Sequence, residues 1–151
     1  QELCAPDNGH LWAIRHTSVV EIDRAGILSA TFSAMADAVY SLADLLAKQH
    51  NSQLSMVLID GNLLPPLDVP GQAVIRGDSR SLSIAAASVL AKVARDVVMR
   101  DLANTYPDYG WQTNAGYGTK SHQNALRKFG VTPHHRKSFA PIKNLLKIGP
   151  R

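Results

Sequence analysis

The sequence has few of the residues that would cross-link the chain or bind a soft metal ion. It has one cysteine, Cys4, so no disulfide can form within the chain. Its six histidines have no cysteine partner and show no zinc-site spacing. No apolar run approaches the ~18 residues that a membrane-spanning helix needs, and no signal peptide is recognisable. We therefore expect a cytoplasmic protein that does not interact with a membrane.

Acidic residues are absent from residues 111–151. That segment holds 8 Lys and Arg residues, whereas residues 1–110 hold 8 basic and 12 acidic residues. The segment therefore carries a formal charge of +8 and the remainder carries 8 − 12 = −4. A basic segment without acids favours a polyanionic partner. The alternative is a solvated basic surface that only aids solubility.

Repeats and low-complexity segments are also absent, and 151 residues fit one domain with its own core. β-rich runs alternate with helical patterns, which predicts an α/β fold. Ser18 and Glu21 have the spacing of a capping box at a helix start. We expect strands at 11–14, 55–60 and 73–76, and helices beginning at Ser18 and covering about 27–48, 83–106, 120–129 and 139–147.

The two longest predicted helices each have an apolar face. The first is expected to pack against a sheet. The second is rich in alanine, which would let it lie close to a sheet. The stripe of the first is Ile27, Phe32, Met35, Val39, Leu42 and Leu46, and the predicted buried side of the second is Ile84, Ala87, Leu90, Ala91, Ala94 and Val98.

Two aspartates lie where β-rich runs end. Asp60 closes the run 55–60, and Asp78 lies on a Gly-Asp-Ser turn after the run 73–76. If the runs pair, their backbones lie ~4.8 Å apart, and the carboxylates would share divalent ions ~3.5–4 Å apart. Oxygen ligands favour Mg²⁺ or Mn²⁺, and such a site hydrolyses phosphodiesters. The alternative is that each aspartate only stabilises its turn or the helix start.

Other polar residues have both a functional and a structural interpretation. Tyr117 lies between glycines, which would let an exposed ring stack on a base or sugar, but it also fits a tyrosine tucked under a loop. The segment "HHRKSF", 134–139, either faces phosphates or belongs to the solvated basic surface. Asp96, with Lys92 and Arg100 four residues to either side, is interpreted as part of a structural charge ladder.

Five ordered motifs resemble the ribonuclease HII family. They are "LIDGN" (58–62), "GDSRSLSIAAASVLAKVARD" (77–96), "YPDYGW" (106–111), "GYGT" (116–119) and "HHRKSF" (134–139). The segment "EIDRAGILSATFSAM" (21–35) is similar to the family's helix before its third catalytic acid. The resemblance covers nearly the whole chain.

The resemblance implies an RNase H-like fold, with a mixed sheet, packed helices and a C-terminal helical basic segment. It implies an endonuclease that cuts the RNA strand of RNA–DNA hybrids, or 5′ to a ribonucleotide in duplex DNA, using Mg²⁺ or Mn²⁺. Asp60 and Asp78 match the third and fourth of four metal-binding catalytic acids. Tyr117 matches a tyrosine that packs against the ribonucleotide junction, and Lys120 and Arg136 are expected to bind substrate.

The chain departs from the family pattern in two places. It contains no Asp-Glu-Xaa-Gly-Arg-Gly segment, which supplies the family's first two acids, and Gln1 is not a methionine. We therefore expect a form incomplete at the N-terminus, with a partial core at 1–110 and a basic substrate-binding part of the same domain at 111–151. Asn114 and Ala115 replace the family's usual His-Lys, which removes a positive charge beside Tyr117.

Three interpretations follow from this pattern. One is the metal-dependent nuclease, which would be a monomer when complete. Another is a nucleic-acid-binding fragment that does not cleave because it lacks the first two acids. The third is a degenerate product without function, or a scaffold. A fragment would also expose strand edges and apolar faces, from which we expect association.

Overall fold

The computed structural model describes residues 9–148, so Cys4 lies outside the described residues. Six α-helices and two β-strands follow one another in an α/β arrangement, which confirms the predicted class. In chain order they are α1 (Val19–Ala25), α2 (Ile27–His50), β1 (Val57–Asp60), β2 (Gly71–Val74), α3 (Leu82–Thr105), α4 (Trp111–Asn114), α5 (Lys120–Phe129) and α6 (Ala140–Ile148). Within this range no helix is both long enough and apolar enough to cross a membrane.

The sheet consists of β1 and β2, which pair in parallel. Val57 is opposite Gly71, and Asp60 is opposite Val74. The second strand begins and ends two residues earlier than the predicted run 73–76. Arg76 has a left-handed backbone with φ of 54°, which turns the chain out of the sheet before the Gly-Asp-Ser turn. The condition set for a shared site, that the two β-rich runs pair side by side, is met by β1 and β2.

The predicted strand at 11–14 is wrong. Residues 9–18 have no regular secondary structure, and β1 and β2 are the only strands in the described residues. A β-rich run becomes a strand only when another strand satisfies its backbone N–H and C=O groups. Thr17 instead fixes this segment by donating a hydrogen bond from its hydroxyl to the carbonyl oxygen of Ala30, at 3.0 Å.

The first two helices follow the predicted signals closely. Ser18 accepts a hydrogen bond from the Glu21 N–H, and the Glu21 carboxylate accepts one from the Ser18 N–H, so the predicted capping box is confirmed. Gly26, with φ of 82°, ends α1. The predicted stripe on α2 is half-buried except for Ile27, which is exposed.

The predicted buried side of α3 is wrong in part. Ile84 is buried and Leu90 and Ala94 are half-buried, but the three other predicted positions, Ala87, Ala91 and Val98, are exposed. A 24-residue helix is about 36 Å long, whereas a four-residue strand spans about 13 Å. The sheet in the described residues is thus too short to cover the helix.

The chain divides into two compact units, and the division falls inside α3. The first unit comprises residues 1–17 and 27–91, and the second comprises 18–26 and 92–151. A core cluster in the second unit packs Trp111 and Tyr109 on α5 and α6 residues.

The predicted start and end of α5 are confirmed, with Gly130 directly after Phe129, and α6 begins one residue later than predicted. The helix α4 ends at Asn114, and residues 115–119 have no regular secondary structure.

Candidate functional site

The carboxylate of Asp60 lies at the C-terminal edge of the sheet and is fixed by the next turn. Its Oδ1 accepts a hydrogen bond from the backbone N–H of Gly77, at 2.7 Å. Gly77 is buried, and a Cβ atom there would lie 2.6 Å from Ile84 Cδ1 and 3.2 Å from Asp60 Oδ1. The absence of a side chain at Gly77 therefore lets the turn approach the carboxylate closely.

Asp78 follows Gly77 in a single 3-10 turn, Gly77–Ser79, four residues before α3 begins. Its side chain is exposed and makes no hydrogen bond with the described residues. The alternative interpretation, in which Asp78 stabilises its turn or the start of the helix, thus finds no supporting contact. The structure brings the turn that carries Asp78 against the carboxylate of Asp60.

The acid edge, defined as Asp60, Asp78 and the turn between β2 and α3, has the donor chemistry of a hard cation site. Carboxylate oxygens are the ligands that Mg²⁺ and Mn²⁺ prefer. However, no group of three or more His, Cys, Asp or Glu side chains within residues 9–148 is arranged to hold a metal ion. The acid edge therefore fits part of a divalent-ion site.

Tyr117 lies in the second unit, in a loop that is ordered by a buried amide. Asn114 donates a hydrogen bond from Nδ2 to the carbonyl oxygen of Tyr109 at 2.7 Å, and its Oδ1 accepts one from the Gly116 N–H at 2.8 Å. Gly116 has a φ of 81°, which disfavours any residue with a side chain. Tyr117 itself is 65% exposed, so the interpretation of a tyrosine tucked under the loop is wrong.

Arg95 is a neighbour of Tyr117 that the sequence did not reveal. Its guanidinium carbon lies 5.1 Å from the centre of the Tyr117 ring, and its Nη2 donates a hydrogen bond to the carbonyl oxygen of Ala115 at 2.7 Å. The loop therefore has a positive charge beside Tyr117 although Asn114 and Ala115 carry none. No spacing rule indicates this contact, because 20 residues separate Arg95 from Ala115.

The other predicted substrate-binding residues also belong to the second unit. Lys120 is exposed in the first turn of α5, where a positive charge is unfavourable to the helix dipole. The charge of Lys120 therefore does not stabilise α5. Arg136 is half-buried, and its guanidinium carbon lies 5.0 Å from the centre of the Phe139 ring.

The predicted charge ladder around Asp96 is confirmed in part. The Lys92 ammonium lies 2.9 Å from the Asp96 carboxylate. Arg100 instead donates a hydrogen bond to the backbone carbonyl of Asp96 at 3.3 Å. One ion pair therefore forms where two were expected, and it is exposed.

A chain of hydrogen bonds joins two buried histidines in the second unit. The N–H of Thr132 donates to His135 Nδ1 at 3.1 Å, so the proton of neutral His135 lies on Nε2, which is 3.4 Å from His122 Nε2. His122 then donates from Nδ1 to the carbonyl oxygen of Tyr109, at 3.2 Å. Burial lowers the pKa of His135 to about 4, because a charged imidazole loses its hydration there, and the neighbouring His122 acts in the same direction.

Comparison with known proteins gives the same family as the motifs. The family model of ribonuclease HII matches residues 9–142, which include both aspartates of the acid edge and the Tyr117 loop. The chain belongs to the ribonuclease HII family. The family match covers nearly the whole chain, and so do the five motifs.

Three relatives named ribonuclease HII illustrate the similarity. The protein from Paracoccus denitrificans is 53% identical over 136 residues, which are 89% of this chain and 61% of the relative. The protein from Rhodospirillum rubrum is 53% identical over 140 residues, covering 93% of this chain and 61% of the relative. The protein from a Ruegeria species is 53% identical over 136 residues, which are 89% of this chain and 56% of the relative. The chain thus spans about three fifths of the length of these relatives.

Proposed function

We propose that this chain supplies Asp60 and Asp78 to the metal site of an endoribonuclease. The enzyme would cut the RNA strand of RNA–DNA hybrids, or the phosphodiester 5′ to a ribonucleotide in duplex DNA. The observation that carries the proposal is the hydrogen bond from the Gly77 N–H to Asp60 Oδ1. It joins the end of β1 to the turn that carries Asp78, which supports a site shared by the two aspartates.

Asp60 and Asp78 would hold Mg²⁺ or Mn²⁺ through carboxylate oxygens. When bound, such ions activate a water molecule and stabilise the leaving oxygen of a phosphodiester. The protein's part is to fix the carboxylates. Asp60 is held by Gly77, and Gly77 lies against the buried Ile84 at the start of α3, so the turn is supported from the helix side.

Substrate binding is assigned to the second unit. Residues 111–151 carry 8 basic and no acidic residues, which suits the phosphates of a duplex. Tyr117 offers an exposed ring with Arg95 beside it, and we assign it to packing on the ribonucleotide, whose 2′-OH distinguishes RNA from DNA. Lys120 and Arg136 would contact the backbone of the strand.

A second candidate function is binding of nucleic acid without cleavage. It is favoured by the absence, within the described residues, of any cluster of three ligand side chains. Two carboxylates would leave two divalent ions under-neutralised and poorly fixed. On this account residues 1–151 recognise a ribonucleotide-containing duplex but hydrolyse it slowly.

Cleavage of a duplex with a single embedded ribonucleotide, in Mg²⁺ or Mn²⁺, separates the two functions. The 151-residue chain should cleave poorly. A chimaera in which the Asp-Glu-Xaa-Gly-Arg-Gly strand of a family member precedes residue 1 should cleave 5′ to the ribonucleotide, leaving a 3′-hydroxyl and a 5′-phosphate. Robust cleavage by residues 1–151 alone would contradict the need for further acids.

Two variants of that chimaera test the assignment of the acids. Asp60→Asn keeps an oxygen that accepts from Gly77 but removes the charge, so it should lower the cleavage rate by about 100-fold or more and leave duplex binding intact. Asp37→Asn is the matched control, because Asp37 is exposed on α2 and its side chain makes no hydrogen bond with the described residues. Equal rates for the two variants would show that the site is placed on the wrong residue.

A further inference from the structure

An acidic residue of α1 holds the basic segment 134–139. The carboxylate of Asp23 accepts hydrogen bonds from the N–H of Lys137 at 2.8 Å and from the N–H of Ser138 at 2.9 Å. It also accepts one from the Ser138 hydroxyl at 2.6 Å. These partners lie 114 and 115 residues further along the chain, and both sides of the contact belong to the second unit.

The contact has the character of a fixed anchor. Hydrogen bonds to an ionised acceptor are short and roughly twice as strong as neutral ones. The hydrogen bonds from Ser138 lower the pKa of Asp23, as expected for a carboxylate that accepts several donors. The helix that carries Asp23 is itself closed at one end by the capping box of Ser18 and Glu21 and at the other by Gly26.

The basic segment is therefore held on both sides of Arg136. On one side, His135 is buried and bonded to Thr132 and His122. On the other side, Asp23 fixes the backbone of Lys137 and Ser138. The guanidinium of Arg136 lies over the Phe139 ring, with its carbon 5.0 Å from the ring centre, so Phe139 restricts the direction of this side chain.

The negative charge of Asp23 is unfavourable for a surface that binds a polyanion. A carboxylate beside Lys137 lowers the local positive potential and with it the attraction of a polyanion. If charge alone decided binding, removing Asp23 would strengthen it. The geometry instead indicates that Asp23 acts through its hydrogen bonds, which fix the backbone of Lys137 and Ser138.

We propose that Asp23 is a positioning residue for nucleic-acid binding, which holds residues 136–138 so that Arg136 and Lys137 meet the same strand backbone. The inference rests on the proposed function, because it requires that the second unit binds nucleic acid. It assigns to α1 a role that neither the charge nor the exposure of its residues would indicate.

The test is the affinity for a ribonucleotide-containing duplex, measured by fluorescence anisotropy over a range of salt concentrations. Asp23→Asn should weaken binding about tenfold and lower the salt slope by about one, as expected when one phosphate contact is lost. Asp101→Asn is the matched control: Asp101 is an exposed residue of the second unit whose side chain makes no hydrogen bond with the described residues. It makes the same charge change and should leave binding unchanged or slightly tighter.

Two further variants separate positioning from a general loss of structure. In an Arg136→Ala background, Asp23→Asn should weaken binding less than it does in the wild type, because the effect through Arg136 is already lost and only that through Lys137 remains. Ser138→Ala keeps every charge and removes one of the three hydrogen bonds, so it should weaken binding about threefold. Binding by Asp23→Asn that is as tight as that of the Asp101→Asn control, or unchanged binding by Ser138→Ala, would overturn the inference.

The wild-type protein distinguishes this inference from the proposed function. A flat salt response of the wild type would remove nucleic-acid binding itself, and the inference with it. A steep wild-type response together with full additivity of Asp23→Asn and Arg136→Ala would leave the proposed function standing and remove only the role of Asp23.

Discussion

The two units of the molecule hold their candidate functional residues in different ways. In the second unit, Tyr117 lies in a loop that Asn114 connects by hydrogen bonds to a cluster of buried aromatic, aliphatic and histidine side chains. In the first unit, the acid edge stands on two four-residue strands, and few apolar side chains are buried. Among the described residues, the buried hydrophobic ones are Ala30, Ile59 and Ile84 in the first unit, and Ala103, Tyr109, Trp111, Ala125, Leu126 and Ile142 in the second.

This difference indicates which function depends on which contacts. The second unit has a buried cluster and buried polar groups that are hydrogen-bonded, which is the condition for a rigid binding surface. The acid edge depends on one glycine turn, one buried isoleucine and one hydrogen bond. We therefore expect recognition of a duplex to be more robust in this chain than hydrolysis.

The largest effect should come from the core of the second unit. Leu126→Ala removes a side chain that is 5% exposed, and we expect it to lower the free energy of unfolding by about 2–5 kcal/mol. Leu58→Ala on β1, where the leucine is 37% exposed, should cost about 1 kcal/mol or less. Urea unfolding of both variants measures the difference. Equal costs would break the comparison of the two units.

Acid should destabilise the second unit through His135, whose pKa burial lowers from 6.5 to about 4. Between pH 6.5 and about 4, His135 is protonated in the unfolded chain but stays neutral in the folded chain. The free energy of unfolding therefore has its full contribution from His135 above pH 6.5, and this contribution is lost as the pH decreases towards 4. Allowing for screening by nearby water, the loss should be on the order of 2 kcal/mol.

Unfolding free energies measured at several pH values test this behaviour. His135→Gln removes the titrating group and should flatten the profile between pH 6.5 and 4, although it also lowers stability at neutral pH. His50→Gln, at an exposed position of α2, should keep the wild-type profile. A His135→Gln profile as steep as that of the wild type would assign the acid sensitivity to other groups.

Tyr117→Ala tests the exposed ring of the second unit. Its loss should reduce the preference for a ribonucleotide-containing duplex over an all-DNA duplex by about 1–3 kcal/mol, the usual contribution of stacking on one base. Tyr117→Phe, which keeps the ring, should retain most of the preference. Equal losses of affinity for both duplexes would make Tyr117 an ordinary loop residue. Arg95→Gln should reproduce part of the Tyr117→Ala effect, at about 1 kcal/mol.

The smallest effect concerns the exposed apolar side chains of the first unit. Val89 on α3 is 55% exposed. Val89→Gln should change the free energy of unfolding by less than about 0.5 kcal/mol and should reduce association of the protein at high concentration. Sedimentation measures the association, with Ser88→Gln, another exposed position on α3, as the control. Association that is independent of Val89 would assign it to another surface.

Local signals predicted the parts of the fold that local chemistry controls. The capping box at Ser18 and the bounds of α5 depend on a few neighbouring residues, and both predictions are confirmed. The segment 11–14 and the exposed alanines of α3 were predicted wrongly, because a strand or a buried face requires a partner from elsewhere in the chain. Residue types and spacing do not report whether that partner is present.

The candidate site divides in the same way. Asp60 and Asp78 were predicted as site residues because strand ends and turns are visible in the sequence, and the pairing of β1 with β2 required only two neighbouring runs. Their role stays a prediction. Arg95 and Asp23 were missed because their partners, Ala115 and Ser138, lie 20 and 115 residues away. Arg95 donates to a backbone carbonyl, and Asp23 accepts from two backbone N–H groups in addition to the Ser138 hydroxyl. Backbone groups carry no signal in residue type. The predicted boundary at residue 110 stays a prediction, since the compact units divide within α3.

Binding of Mn²⁺ followed by nuclear magnetic resonance tests the central claim most directly, because it needs neither substrate nor turnover. The paramagnetic ion should broaden the amide signals of Gly61 and of the turn Gly77–Ser79 first. Asp60→Asn and Asp78→Asn should each weaken this broadening, and the double variant should abolish it. Broadening that persists at this turn in the double variant, or that centres on acids of another element, would contradict the assignment of the acid edge as a divalent-ion site.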